Sequence, residues 1–169
     1  MSRPTAGTFP EYFTNYINQL GVDDIHEAVA KYGKSVVVFF RQLPAEKVDF
    51  RYAEGKWSLK EMLLHIIDAE RVFAYRALCI ARRDKTPLPA FDENVYAEFS
   101  NADSRDWNNL LDEFEATRRS TDYLINSFEA EQLKQEGITS NQHNNVNAIC
   151  FVIYGHILHH INIVKERYL

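Results

Sequence analysis

The sequence predicts an all-α chain folded as a four-helix bundle, and three observations carry that expectation. Only six glycines and five prolines interrupt 169 residues, so tight turns are few and long helices are favoured. Four segments of helical length repeat apolar residues at helical spacing. One of them opens on Ser58-Leu59-Lys60-Glu61, a capping box in which hydroxyl and carboxylate reciprocally satisfy exposed backbone N–H groups.

Residues 9–20, FPEYFTNYINQL, read as a short amphipathic lead-in that packs on the bundle. The chain is therefore expected to be one domain, with a lead-in over 1–20 and the bundle over 21–169. The first long helix opens near Asp23-Asp24, where a carboxylate favours the positive end of a helix, and runs to Leu43 before Pro44. Its interior SVVVFFRQL is β-branched enough to compete as a strand, but its flanks extend the pattern beyond strand length. The second runs from the capping box to about Arg83, with Trp57 and Met62 placed for a hydrophobic staple. A long connection follows, DKTPLPAFDENVYAEFSNAD, with one short helix around Glu93 to Phe99. Loops of that length in compact domains often cover a site or cross a bundle. The third helix begins near Ser104 and carries Trp107, Leu110, Leu111, Phe114, Thr121, Leu124, Ile125 and Phe128 along a core-facing stripe. After Gly137 the polar run TSNQHNN leads into a fourth helix from about Asn145 to Tyr168.

Composition narrows the function. A net charge of -5 with no basic block argues against a nucleic-acid partner. The longest purely apolar run, Val36 to Phe40, is far below the roughly 20 residues of a membrane span, so no membrane segment is expected. The opening MSRPTAGTFPEYF lacks the apolar region of a signal peptide. Cys79 and Cys150 have no metal-ligand spacing and are too few for a disulfide framework; a reducing cytoplasm is the expected location.

Three of the six histidines crowd into the closing YGHILHHINIVKERYL. At about 100° per residue, His156 and His160 fall inside the apolar stripe of Ile149, Val152, Ile153, Ile163 and Val164, and His159 sits at its shoulder. Imidazoles four residues apart on a helix are neighbours and can converge on one ion. His65 projects from the core-facing side of the second helix with Met62, Ala69, Val72, Phe73 and Ile80, and supplies the third ligand. One buried imidazole is easily satisfied by a hydrogen bond, whereas three without a shared partner are costly. Three neutral imidazoles suit zinc or nickel and leave coordination positions open. Asp68 and Glu61 lie on one shoulder of the His65 face. Asp68 is the candidate catalytic residue, as orienter of a ligand or base for a bound water, while Glu61 is already used by the capping box. Arg76, about three turns beyond His65 on the same face, either orients an anionic substrate or pairs with a carboxylate. His26 and His143 read as surface residues and Cys79 as core.

The segments EGKWSLKEMLLHIIDAERVFAYRAL, PLPAFDENVYAEF and GHILHHINIVKERYL resemble the DinB/YfiT-like superfamily, over nearly the whole chain from about residue 20. The resemblance implies helices in up-down-down-up order, with the long connection between the second and third crossing the bundle. It implies a divalent metal held by His65, His156 and His160, and a small-molecule substrate, with a low-molecular-weight thiol among the candidates. Characterised relatives include metal-dependent thiol transferases and an isomerase, hydrolases are proposed among them, others have no known activity, and homodimers are a family habit. Thiol S-transfer is the leading expectation on that analogy, with hydrolysis and a non-enzymatic metal-binding or dimerisation module as alternatives. One departure is visible: many members follow the last histidine with Arg-Gly-Gln, where this chain has Ile161, Asn162 and Ile163. Ferritin-like di-iron chemistry ranks a poor third, because the Glu-x-x-His motifs it requires are missing.

Overall fold

A computed structural model describes residues 2–169. Its elements are α1 (Phe13–Ile17), α2 (Ile25–Arg41), α3 (Leu59–Ala81), α4 (Glu93–Glu98), α5 (Trp107–Asn126), α6 (Ala130–Leu133), a hairpin of β1 (Glu136–Thr139) and β2 (Gln142–Asn145), and α7 (Val146–Arg167). The four long helices α2, α3, α5 and α7 are the bundle that the sequence predicts.

Each long helix starts on a side chain that accepts from an orphan backbone N–H. Asp24 accepts from His26 N at 2.8 Å, Asp106 from Asn109 N at 2.9 Å and Asn145 from Ala148 N at 2.8 Å. At α3 the capping box is complete: Glu61 N donates to Ser58 Oγ at 3.2 Å and Ser58 N donates to Glu61 Oε2 at 2.7 Å. The ends are shorter than the apolar pattern suggested. The α2 helix stops at Arg41, and α3 stops at Ala81 because Arg83 turns left-handed. The α5 helix begins at Trp107 because residues 102–104 form a separate 3-10 turn. Phe128 lies beyond the last turn of α5, yet is fully packed.

Side-chain contacts fix the directions. Arg41 reaches Asp112 and Glu115 while Gly33 abuts Asp122, so α2 and α5 are antiparallel. Lys60 reaches the Asp103 carbonyl and Arg71 reaches Glu113, so α3 and α5 run parallel. Tyr32 meets Tyr154 and Lys165 lies over Phe39, so α2 and α7 are parallel too. The order is up-down-down-up, and joining the parallel pair α3 and α5 requires a connection that runs back along the bundle. That requirement explains the long segment between them.

The polar run after Gly137 is a β-hairpin, not a loop into the last helix. Glu136 pairs with Asn145 and Thr139 with Gln142, and the turn residues Ser140 and Asn141 both have positive φ, the geometry of two-residue hairpin turns. The β1 strand has two β-branched residues, Ile138 and Thr139, but β2 is Gln-His-Asn-Asn and both strands are only four residues long, too short and too polar for an alternating pattern to mark a strand. Leu88 of the crossing segment bonds this hairpin on both sides, donating to Ile138 O and accepting from Ser140 N. The connection is thereby tied across the mouth of the bundle.

The core divides into two clusters. One gathers α1, the end of α3 and α7 as far as Tyr154; the other gathers α2, the start of α3, α5 and α7 from Ile157 onward. They meet on α7 at Gly155 and His156, and on α3 they leave residues 68–76 between them. Gly155 is required there: a Cβ would stand 2.1 Å from the Tyr16 carbonyl oxygen, so only glycine lets α1 lie this close to α7. By length and composition α7 is, among the described residues, the one helix apolar enough to cross a membrane, but 78% of its most apolar stretch is buried inside the protein.

Candidate metal centre

His65 from α3 and His156 and His160 from α7 converge where the two core clusters part. Their exposures are 9%, 7% and 7%. His65 Nε2 lies 3.0 Å from His156 Nε2, and His160 Nε2 lies 3.1 Å from the same atom. Donor atoms of all three lie within 4.8 Å of one another. The i, i+4 spacing on α7 brings two rings together, and the antiparallel α3 brings the third.

This arrangement is poorly satisfied by hydrogen bonds alone. A neutral imidazole presents one donor and one in-plane acceptor, so three facing Nε2 atoms cannot all be paired among themselves. Protonation does not resolve the conflict. Burial pushes the His65 pKa down to about 4. Burial also drives His156 and His160 well below the ordinary value, reinforced by the neighbouring imidazoles. The donors therefore stay neutral, the form that ligates metal. Nitrogens bound to one ion at ~2.05 Å and a tetrahedral angle stand ~3.3 Å apart, and ~2.9 Å at a right angle. The observed 3.0 and 3.1 Å separations lie between, so two of the three donor pairs stand at the spacing of ligands to a single divalent ion, and the third donor is close enough to join them. His160 Nδ1 is buried without a partner, as expected where Ile161, Asn162 and Ile163 replace a polar triplet.

A cavity of about 350 Å³ opens beside the three imidazoles. Trp57, Phe73, Phe91, Tyr12 and Tyr16 form aromatic walls, and Arg76 and Ser140 close the far end. It reaches the surface at Tyr12 and Glu93, both exposed. Trp57, expected to staple the start of α3, lies with its ring centroid 4.7 Å from that of His65 and is a wall of the site. Tyr16 stands edge-on to His156 and His159. His159 lines the cavity half-buried, outside the trio, as its shoulder position implied.

Asp68 is not brought to the cluster. Its carboxylate faces Arg71 at 3.6 Å and lines no part of the cavity, because three residues of helix turn it off the His65 face. Partial burial raises its pKa above the ordinary carboxylate value. Glu61 serves the cap and pairs with Arg51 at 2.8 Å. His26 makes only a long 3.4 Å contact with Asn126, and His143 is exposed. Tyr12, Tyr16 and Ser140 went unrecognised in the sequence. The i, i+4 spacing of the two tyrosines in the lead-in was the available signal.

Bundle and site together define a metal-site class of helical protein, four antiparallel and parallel helices enclosing a buried histidine trio beside a cavity. Residues 34–164 match the model of the DinB superfamily, and the chain belongs to that superfamily. It is 30% identical over 80 residues to a protein of Oceanobacillus iheyensis named "Putative metal-dependent hydrolase". That match spans 45% of this chain and 46% of the relative, about half the length of each. The fold is similar to that of YfiT from Bacillus subtilis, described as a probable metal-dependent hydrolase with an unusual four-helix bundle topology. The two structures agree with a TM-score of 0.72 over 97% of this chain and 90% of that one, at 14% identity.

Proposed function

We propose that the protein is a metal-dependent hydrolase of small molecules, with a zinc or nickel ion held by His65, His156 and His160. The observation that carries this is the convergence of three buried, neutral imidazole nitrogens with no acid to pair them, at the floor of an open cavity. A divalent ion held by three protein ligands supplies a Lewis acid that polarises a carbonyl and makes water a nucleophile near neutral pH.

The chain's own residues do the remaining work. Trp57 and Phe73 exclude bulk water from two sides of the trio, which strengthens electrostatic interactions at the reacting centre. Tyr16 packs on His156 and holds its ring orientation. No carboxylate stands among the lining residues at the histidine end; Glu93, the one acidic lining residue, is at the rim. Asp68 is accordingly given no role as base. The expectation of thiol S-transfer rests on resemblance alone, whereas both relatives carry hydrolase names, so water takes precedence as the nucleophile.

Elemental analysis of untagged protein is expected to find one divalent ion per chain, lost in His156→Ala. Ester and amide substrates should be cleaved by the loaded protein and spared after chelation. A panel of thiols with electrophilic acceptors, run in parallel, tests transfer. Wild-type protein without a stoichiometric ion would overturn the proposal, and turnover seen only with thiols would replace hydrolysis by transfer.

A further inference from the structure

The end of the cavity opposite the histidines holds a cation without a counter-ion. Arg76 is 3% exposed. Its Nη2 donates to Pro89 O at 2.6 Å and to Ser140 Oγ at 3.0 Å, both neutral acceptors. Among the described residues no carboxylate pairs with it. Glu93, the other charged side chain lining the cavity, bears instead on Tyr12 and Tyr16. The fork still has N–H donors at Nε and Nη1, and no protein acceptor bonds to them among the described residues. Phe73 and Phe91 lie 5.6 and 5.8 Å from the guanidinium and fix its plane.

Burying a guanidinium without an anion is unfavourable, and here burial does act against the charge. The bundle can compensate a buried arginine when it needs to: Arg118 has Glu70 at 2.9 Å and Asp122 at 2.5 Å. At Arg76 that compensation is absent, and the cavity is where an anion from outside can reach the fork.

We infer that Arg76 is the anion anchor of this cavity, receiving the carboxylate of an elongated, aromatic or aliphatic monocarboxylic acid whose other end reaches the three histidines. A planar carboxylate matches a planar fork in two parallel bonds. A dianionic phosphate fits worse, because among the described residues Arg76 is the only cationic side chain lining the cavity and the Glu93 carboxylate stands at its rim. The length follows from α3. His65 and Arg76 are separated by about 16 Å of helix axis; both side chains lean toward the N-terminus, so only the longer reach of arginine shortens the span, which stays above about 10 Å. The far-end assignment rests on the metal reading above. The anchor does not.

The two parts separate experimentally in chelator-treated, metal-free protein, where no ion competes for the carboxylate. Calorimetric titration compares 4-phenylbutyrate with 4-phenylbutanamide, the same body without the charge. Wild type is expected to bind the acid at least about tenfold more tightly than the amide. Arg76→Gln should abolish that preference while changing amide binding little, and Arg76→Lys should restore part of it. No binding of the acid, equal binding of acid and amide by wild type, or a preference surviving in folded Arg76→Gln would overturn the inference. Tighter, Arg76-dependent binding of phenyl phosphate would overturn the choice of a carboxylate. The wild-type comparison needs no variant, so it stands even if loss of the Pro89 and Ser140 bonds unfolds Arg76→Gln. Metal content measured before chelation tells the readings apart: protein that is purified without a stoichiometric ion yet shows the acid preference sinks the metal centre alone, and protein purified with its ion that lacks the preference after chelation sinks the anchor alone.

Discussion

Two buried polar clusters share helices α3 and α7, and they meet the cost of burial in opposite ways. At Glu70 and Tyr154 the protein supplies both signs of charge. Arg118 and Glu70, each with a side chain 1% exposed, touch at 2.9 Å. Arg118 also donates to Asp122, Tyr154 donates its hydroxyl to the same carboxylate oxygen, and the guanidinium lies 4.4 Å over the Tyr154 ring. Burial works against the Arg118 charge, but Glu70, Tyr154 and Asp122 outweigh it and hold its pKa above the ordinary value. One turn away, at His65 and His156, the protein supplies three bases and no acid. The first cluster holds its cation and its anions within the chain, so it belongs to the fold. The second is completed only by a cation from outside, so it belongs to function.

The largest expected effect breaks the first cluster and spares the second. Arg118→Met leaves Glu70 and Asp122 without their cation, and stranding a buried partner costs about 3–5 kcal/mol. For a chain of this size that is a fall in Tm of roughly 6–20 °C. Metal content per folded molecule should be unchanged. A thermal midpoint within a degree or two of wild type would mean that the network adds nothing to the fold.

His156→Ala is the mirror experiment. The metal-free variant should fold, since it loses a base that has no counter-charge. Wild type should gain about 2.7–4 kcal/mol from a divalent ion present at 100 to 1,000 times its Kd, and the variant should gain almost nothing. Equal thermal shifts in the two proteins would remove the trio as the binding site.

Acid titration sharpens the same contrast. The His65 pKa falls from 6.5 to about 4 on folding. Between those values the unfolded chain accepts a proton that the folded chain refuses, so metal-free protein loses stability as pH drops below about 6.5. The loss levels off near pH 4, and His65 alone accounts for something on the order of 3 kcal/mol. Arg118→Met should show the same acid slope from a lower starting point. A stability profile of metal-free wild type that stays flat from pH 7 to 4.5 would contradict burial of a neutral trio.

How much of this was legible beforehand depended on whether the determinant was local. Caps and periodicity are local, so Asp24, Ser58 and Asn145 marked helix starts closely, and Ser104 stood two residues ahead of the actual cap, Asp106. Rotation around a helix is local too, and it placed His65, His156 and His160 on core-facing sides. Rotation does not say what lies opposite a given face. Tyr12, Tyr16 and Ser140 reach the cavity from segments whose docking depends on Gly155 and on the Leu88 bridge to the hairpin, and neither contact has a sequence period. The hairpin itself carries mostly polar residues in strands too short to alternate.

Asp68 shows the same limit and gives the smallest predicted effect. Helical spacing put it on the shoulder of the His65 face, where a base would be useful. In the structure the nearest charge is Arg71, which Glu113 holds more closely, at 2.7 Å against 3.6 Å for Asp68. A half-buried, loosely paired carboxylate that stays in contact with solvent contributes about 1 kcal/mol or less to stability. A side chain that touches neither the trio nor the cavity should alter the transition state by less than ~0.7 kcal/mol, about threefold in rate. Asp68→Asn is therefore expected to keep its metal, its Tm within about 2 °C and most of its turnover. A loss on the order of 100-fold, the scale of a missing general base, would require Asp68 to leave Arg71 and turn into the cavity when substrate binds. That result would place a proton-transfer group on the α3 side of the trio.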